Sequence, residues 1–460
     1  MTLAIATPRL IGQMFALSFT ALFLEMMVIR WVPSVVHLVA YYANLMLLGS
    51  FLGLGVGAMM ADRKWRLFEW FPGFLAVNIG TLLLCRNSVI GTSTGEARFH
   101  ALDPAMLNTL LLVWIFAANA LMFVPLGQKM GGLFHALPRL QAYGWDLAGS
   151  LCGTLGFGLF SLKLFSPLVG MLIVMLIFLA LSARRATALL VFAGVLTVMG
   201  LTTDRAAIWS PYYYITVHRT ETPLQTESQP PADLRTMRNP PIYAVKVNQL
   251  GYHFDATFDP ARYDPPSPHA ACVGEMAGQY RLPYAIAAGR ERVLVVGAGG
   301  GTDIEAALAS GVRKVDAVEI DPVIAWISGR FNAAAPYANP RVALHIDDAR
   351  VYLQRARPGY DLVVFGFLDS QALFSSMSNV RLDGYVYTVE SLRSAYGLLG
   401  ENGVLSLSFY LGRGWLGPKL FRMVTEAVGR PPAMYIHGQQ MILICPEGSR
   451  PETARRGRLV

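Results

Sequence analysis

Between positions 292 and 371 the sequence sets glycines and carboxylates at intervals that suit a nucleotide ligand. RVLVVGAGGG is a continuously apolar run that ends in Gly297, Gly299, Gly300 and Gly301. TDIEAALAS, which follows it, has the pattern of a helix that begins at Thr302 or Asp303. Glycines in such a turn let the backbone come close to a ligand at the helix N-terminus. A second apolar run, KVDAVEID, ends in Glu319, roughly 20 residues after the turn, where a carboxylate can take both hydroxyls of a ribose. RVALHIDDA ends in Asp347 and Asp348, and YDLVVFGFLDS ends in Asp369. A glycine run alone is weak evidence. Four strands that each finish in polar groups at the carboxyl edge are the pattern of a doubly wound α/β site. The other reading of Asp347 and Asp348 is a turn or a helix cap.

The elements that hold these residues make up only part of the chain. Of 460 residues 54% are hydrophobic and 15% charged, with mean hydropathy +0.42, too apolar for an ordinary soluble enzyme. The basic excess lies in the apolar half: residues 1–205 hold 13 Lys and Arg against 7 Asp and Glu, and residues 206–460 hold 25 against 23. A nucleic-acid footprint would need the basic face on the other half, so no nucleic-acid partner is expected. Cys85, Cys152, Cys272 and Cys445 lie far apart with no CxxC pair, and the histidines are dispersed, so no metal site and no disulfide framework are expected.

Apolar stretches near 10–32, 36–60, 70–90, 105–127, 143–163, 166–183 and 187–203 each approach the roughly 20 residues that span a bilayer. They predict an all-α transmembrane bundle of about seven helices over 1–205, with the lipid bilayer as partner. The first stretch carries Glu25 and Arg30 with no small-residue cleavage site after it, so it reads as a retained helix. Glycines in the second stretch (Gly49, Gly53, Gly55, Gly57) and the fifth (GSLCGTLGFG, from Gly149) predict close helix approach at the centre of the bundle. Glu25, Arg30 and Asp146 are ionisable residues in spans. They either pair or snorkel near a helix end, or they line a polar pocket for a substrate or headgroup. Arg63, Lys64, Arg66, Lys129, Arg139, Arg184 and Arg185 fall on the face of the N-terminus, which seven crossings and the positive-inside rule would make cytoplasmic. A domain that uses a cytosolic nucleotide belongs inside instead. The expectation is an integral protein of the inner or plasma membrane with its C-terminal domain cytoplasmic, against that charge count.

From 206 to 290 the alternation of Tyr212–Val217 and of Ile242–Val247 predicts strands around a Pro-rich surface loop, a small β lead-in. YDPPSP, from Tyr263, reads as a loop over a site. The Rossmann-like domain is placed at 291–460.

The order GAGGGTD, VEIDP, IDDAR, YDLVVFGFLDS and YTVESLRSAYGLLGENGVL resembles the spermidine synthase-like branch of the class I methyltransferase fold, over roughly residues 208–445. The run FLEMMVIRWVPSVVHLVAYYANLMLLGSFLGLGVGAMMADR is similar to the membrane domain fused to some members of that branch. The resemblance implies a donor, S-adenosylmethionine or its decarboxylated form, bound by Gly297, Gly299, Gly301 and Asp303. It implies Glu319 on the ribose, and Asp347, Asp348 and Ala349 at the adenine. It implies Asp369 near the acceptor, with Gln371, Tyr385 and Tyr387 as wall residues. A homo-oligomer is a further possibility, since soluble relatives commonly dimerise.

Two departures bear on the reaction. Spermidine synthases carry an aspartate where this chain has Gly300, and the first of a pair of aspartates where it has Gly366, leaving Asp369. The upstream substrate motif is also not visible, with GQYRLPYAI in that region. Polyamines are cations held by carboxylates, so these losses argue against an ordinary putrescine acceptor. By charge alone, Gly300 would no longer repel the carboxylate of intact S-adenosylmethionine. Three readings stand: a membrane-integrated transferase that moves an aminopropyl or related alkyl group; a methyltransferase or lyase on the same fold; and a non-catalytic sensor or transporter gated by the nucleotide.

Overall fold

The computed structural model describes residues 8–40, 42, 44–86, 104–164, 166–221, 225–264, 268–367, 386–411, 415–437 and 440–446. The chain divides into two compact units, Met1–Ile215 and Thr216–Val460.

The first unit is helical: α1 Pro8–Val35, α2 His37–Ala40, α3 Asn44–Met59, α4 Phe71–Cys85, α5 Pro104–Ala136, α6 Arg139–Leu164, α7 Pro167–Leu181 and α8 Arg185–Thr202. Four helical stretches among the described residues are long and apolar enough to cross a membrane: Pro8–Val35, Leu67–Cys85, Thr109–Ala136 and Arg185–Thr202. Asn44–Met59 and Pro167–Leu181 are apolar but shorter. Phe71, Phe178 and Phe192 are fully buried with ring centroids 5.3 to 6.3 Å apart, which ties α4, α7 and α8 into one core.

The glycine runs do bring helices close, but not at a common centre. Cβ atoms at Gly53 and Gly57 would collide with the carbonyls of Ala120 and Val124 on α5, and one at Gly127 with the carbonyl of Leu54 on α3. Asn119 adds a buried bond from α5, donating to the Met46 carbonyl at 2.8 Å. In α6, Gly149 and Gly153 lie against the Phe15 and Phe19 backbone of α1, while Leu147, Leu151, Leu155, Leu159 and Leu162 stand exposed. Small residues mark one face on which backbones touch; they do not require the rest of the helix to be buried. Of the ionisable residues, Asp146 accepts from the Ser18 hydroxyl at 2.6 Å, and Arg30 donates to the Ser210 carbonyl and lies 5.7 Å from the Trp209 ring centre. Glu25 is fully buried, with no hydrogen-bond partner for either carboxylate oxygen among the described residues.

β1 (Ile208–Trp209) and β2 (Tyr214–Arg219) form an antiparallel pair, and β2 runs on into the second unit. There β3 (Tyr243–Val247) pairs antiparallel with β4 (Leu250–Asp255), a ribbon with a register shift at Val245/Lys246. After α9 (Pro268–Ile286) come β5 (Arg292–Val296), α10 (Thr302–Ala309), β6 (Lys314–Glu319), α11 (Pro322–Phe331), β7 (Val342–Ile346), α12 (Ala349–Arg355) and β8 (Tyr360–Phe365). The unit closes with α13 (Val389–Tyr396), β9 (Leu399–Tyr410), α14 (Leu416–Val428), β10 (Ala433–His437) and β11 (Gln440–Pro446).

The main sheet has the order β10-β11-β9-β8-β5-β6-β7. It is parallel from β7 through β9; β11 runs antiparallel to β9, and β10, antiparallel to β11, runs with the rest. The middle strands read as unbroken apolar runs because both faces are covered: Val293 to Val296 and Leu362 to Phe365 are all buried. This is a Rossmann-like, class I methyltransferase arrangement. The chain leaves β5 toward β6 and β7, then returns to lay β8 on the other side of β5. The crevice at the carboxyl ends of β5 and β8 is therefore the switch point where such sheets bind ligands. At the opposite edge the strands are fastened by a clamp. Asp316 accepts from Arg292 Nε and the Tyr360 hydroxyl, both at 2.9 Å, and the Arg292 guanidinium lies 4.0 Å from the Tyr360 ring centre.

Candidate functional site

The glycine turn after β5 takes a shape that few side chains would permit. Gly297, Gly299 and Gly301 have φ of 69°, 45° and 78°. Gly301 also has no room, since a Cβ there would collide with Pro336 Cγ. The turn is fastened from several sides. Gly297 and Ala298 N–H both donate to the Val318 carbonyl at 2.9 Å. The Tyr337 hydroxyl donates to the Gly299 carbonyl at 2.7 Å, and Asn332 Nδ2 to the Gly300 carbonyl at 3.0 Å.

Glu319 ends β6 facing that turn. It is 2% exposed; Oε2 accepts from Gly299 N–H at 2.8 Å and Oε1 from Asp321 N–H at 3.0 Å. A carboxylate offers about four lone-pair positions, so each oxygen keeps capacity for a hydroxyl. Burial pushes this carboxyl above its ordinary range, and the two backbone N–H bonds offset part of that.

Asp303, in the first turn of α10, is 8% exposed, and its backbone carbonyl accepts from the buried Tyr284 hydroxyl at 3.1 Å. Its carboxylate reaches the end of β8, where Oδ2 fills the space that a Cβ on Gly366 would need. Burial pushes this carboxyl up to about 7.

Asp255, at the end of β4, approaches the turn from its other side. It is fully buried, and among the described residues neither oxygen accepts a hydrogen bond. Oδ1 would lie 3.1 Å from a Cβ on Gly300 and is 3.2 Å from His253 Nε2. The segment behind Asp255 is pinned to α10, because Glu305 Oε1 accepts from the Thr257 hydroxyl at 2.7 Å and Phe258 N–H at 2.9 Å. Burial first, then the nearby carboxylates of Glu319, Asp255 and Asp303, hold the Tyr337 phenol well above its ordinary range. Three acidic side chains thus bear on one hydroxyl at the glycine turn.

Asp348 caps α12, accepting from Arg350 N–H at 2.8 Å and Val351 N–H at 3.2 Å; Asp347 Oδ1 accepts from Asp348 N–H at 2.9 Å. These bonds are those of the cap reading, and Ala349 is the first residue of the capped helix. Tyr387 donates to the Gly366 carbonyl at 3.4 Å, which sets it beside the end of β8. Asp369, Gln371 and Tyr385 lie outside the described residues. Among the described residues no group of three or more His, Cys, Asp or Glu could hold a metal ion.

Asp255, His253 and Tyr337 were not among the residues singled out from sequence. The signal for the first two was an alternating polar pair, His253 and Asp255, in an otherwise aromatic and apolar strand. Tyr337 had no signal, because its short loop is brought to the turn only by tertiary packing. At Gly300 the turn has no carboxylate of its own, and Asp255 Oδ1 lies beside that position.

No family model matches the chain. It is 36% identical over 117 residues to a polyamine aminopropyltransferase of Vibrio vulnificus strain CMCP6, covering 25% of this chain and 36% of that protein. It is 37% identical over 87 residues to spermidine synthase 2 of Hyoscyamus niger, covering 18% of this chain and 28% of that protein. The chain therefore spans about a third of the length of the curated relatives it matches. A solved spermidine synthase in complex with the transition state analogue AdoDATO aligns with 17% identity over 46% of this chain and 69% of that one, TM-score 0.34. The enzyme from Thermotoga maritima aligns with 14% identity over 46% and 68%, TM-score 0.34. Over the stretch it shares with its curated relatives, the chain is spermidine synthase-like.

Proposed function

We propose that this chain is a membrane-integrated, S-adenosyl-dependent transferase that moves an aminopropyl or related alkyl group from S-adenosylmethionine or its decarboxylated form to a small-molecule acceptor. The observation that carries this reading is Glu319. A buried carboxylate at a strand end, bonded to Gly299 N–H across a tight glycine turn, is the arrangement that holds a ribose beside a turn. Gly297, Gly299 and Gly301 then pass under the donor's methionine portion, and Asp347, Asp348 and Ala349 border the adenine. Asp369, Gln371 and Tyr385 are assigned to the acceptor side. In the reaction an acceptor nitrogen attacks the carbon bonded to the sulfonium. The C–N bond forms as C–S breaks, the sulfur keeps the electron pair as a neutral thioether, and the nitrogen gives up a proton. The site's task is alignment in line with that carbon, in surroundings that tolerate loss of the positive charge.

The helical unit anchors this chemistry in a bilayer: it holds the four apolar helices, and α6 turns a row of exposed leucines outward. The second unit is cytoplasmic, because S-adenosyl donors are cytosolic. Mass spectrometry of the detergent-purified protein, incubated with each donor with and without putrescine, tests the reaction. Methylthioadenosine that appears only with the acceptor supports alkyl transfer. S-adenosylhomocysteine would mean methyl transfer, methylthioadenosine without acceptor a lyase, and binding without product a sensor.

A further inference from the structure

Within the first unit, helix ends and the β1–β2 pair border an open cleft. Trp31 of α1, Leu83 of α4, Pro167 of α7 and Met199 of α8 line it, together with Trp209 and Tyr214. Three of the four apolar stretches long enough to cross a membrane, Pro8–Val35, Leu67–Cys85 and Arg185–Thr202, end beside it. Such a place lies at a bilayer interface, where Trp and Tyr rings sit level with lipid head groups. Trp209 and Tyr214 are cross-strand partners with ring centres 4.8 Å apart. Two opposite charges share the cleft with them. Arg86, directly after α4, donates to the Thr202 carbonyl at the end of α8. Asp204, just past α8, accepts from Ala206 N–H at 3.0 Å, which fixes its carboxylate. Burial first, then Asp204, push the Tyr214 phenol up to about 12, and Arg86 opposes them, so both charges bear on one hydroxyl of the cleft wall. The enclosed part of the cleft is small, about 30 Å³. That is room for roughly two waters, which a primary ammonium fits and a trimethylammonium does not.

We propose that this cleft binds the head group of an ethanolamine phospholipid, its primary ammonium held by Asp204 among the rings of Trp31, Trp209 and Tyr214 and its phosphate by Arg86. The proposal rests on the membrane-integrated reading of the first unit. A zwitterionic head group carries both charges on one short linker and so answers Asp204 and Arg86 together, with aromatic faces to receive the cation. An anionic head group leaves Asp204 facing a like charge, and a soluble diamine leaves Arg86 facing one.

The experiment is native mass spectrometry of the full-length protein in detergent, titrated with ethanolamine, choline and glycerol phospholipids of one acyl composition, and with putrescine in competition. The wild type is expected to bind the ethanolamine lipid at least about tenfold tighter than the other two. Asp204→Asn is expected to lower ethanolamine binding by about tenfold, the loss of a charge-assisted bond, and to change the choline lipid by less than about threefold. Arg86→Gln is expected to weaken all three lipids, since they share the phosphate. Equal binding of the three lipids by the wild type, or tighter binding of the choline or glycerol lipid, overturns the proposal without any variant being folded. So does putrescine that displaces the ethanolamine lipid at equal concentration, or an Asp204→Asn protein that keeps the wild-type preference. Flotation with vesicles separates the two readings: a protein that does not insert fells the membrane reading and the proposal with it, and one that inserts without a head-group preference fells only the proposal.

Discussion

Replacing Glu319 with glutamine removes a charge and one acceptor while keeping the size of the side chain. In the free protein each carboxylate oxygen serves one backbone N–H, from Gly299 and from Asp321. An amide can serve only one of them, so one buried donor is left unpaired at about 1–3 kcal/mol. Against this, the carboxyl is raised above its ordinary range by burial, so the neutral side chain escapes a desolvation cost of the same order. The two effects oppose each other, and the melting temperature should move by only a few degrees. Ligand binding has no such offset. A ribose hydroxyl bonded to the carboxylate gains about 1.5–3 kcal/mol, which the amide forfeits, so affinity should fall by about 10- to 150-fold. The assay is calorimetric titration with S-adenosylmethionine, its decarboxylated form and methylthioadenosine. All three share the ribose, so the same factor should appear for each. A variant that melts like the wild type and binds methylthioadenosine within about twofold of it would refute the assignment of Glu319 to the ribose.

Gly301→Ala should cost about 2–4 kcal/mol, because alanine disfavours φ of 78° and its Cβ collides with Pro336; denaturant titration reads it. Asp303 is an acid whose folded value is raised to about 7, so it destabilises the protein progressively as pH rises from about 4 to 7. Asp303→Asn should flatten that slope and recover up to about 4 kcal/mol above pH 7, and an unchanged slope would refute it. Asp316 behaves oppositely. Burial raises its carboxyl, but bonds from Tyr360, Arg292 and His345 outweigh it and leave the group below its ordinary value. Its stabilisation is present above the unfolded value and lost as pH falls through the folded one. Asp316→Asn should lose about 3 kcal/mol at neutral pH and weaken acid denaturation. In the helical unit, Gly53→Ala should cost about 1–3 kcal/mol of stability in detergent, whereas Gly55→Ala, which has open space, should cost nothing measurable.

Much of the second unit could be read along the chain. RVLVV, KVDAVE, VALHI and YDLVVF are short apolar runs followed by turn residues, and each is a strand of the main sheet. Glu319 was legible because its distance from the glycine turn is fixed by one helix and one strand. Asp255 was not, because what joins it to Gly300 is ribbon pairing and the bonds that Thr257 and Phe258 donate to Glu305, and neither leaves a local pattern. The glycines of α3 and α6 announced close contact but not its partner. Periodicity tells which face is small, and tertiary packing decides what lies on it.

The clamp of Arg292, Asp316 and Tyr360 sits at the amino ends of β5, β6 and β8, the length of a strand away from the glycine turn. Changes at well-separated points that share no partner add nearly independently. The sheet therefore gives the chain mutational latitude. Side chains at the carboxyl ends can change with the ligand, while the strands stay registered by bonds at their other ends.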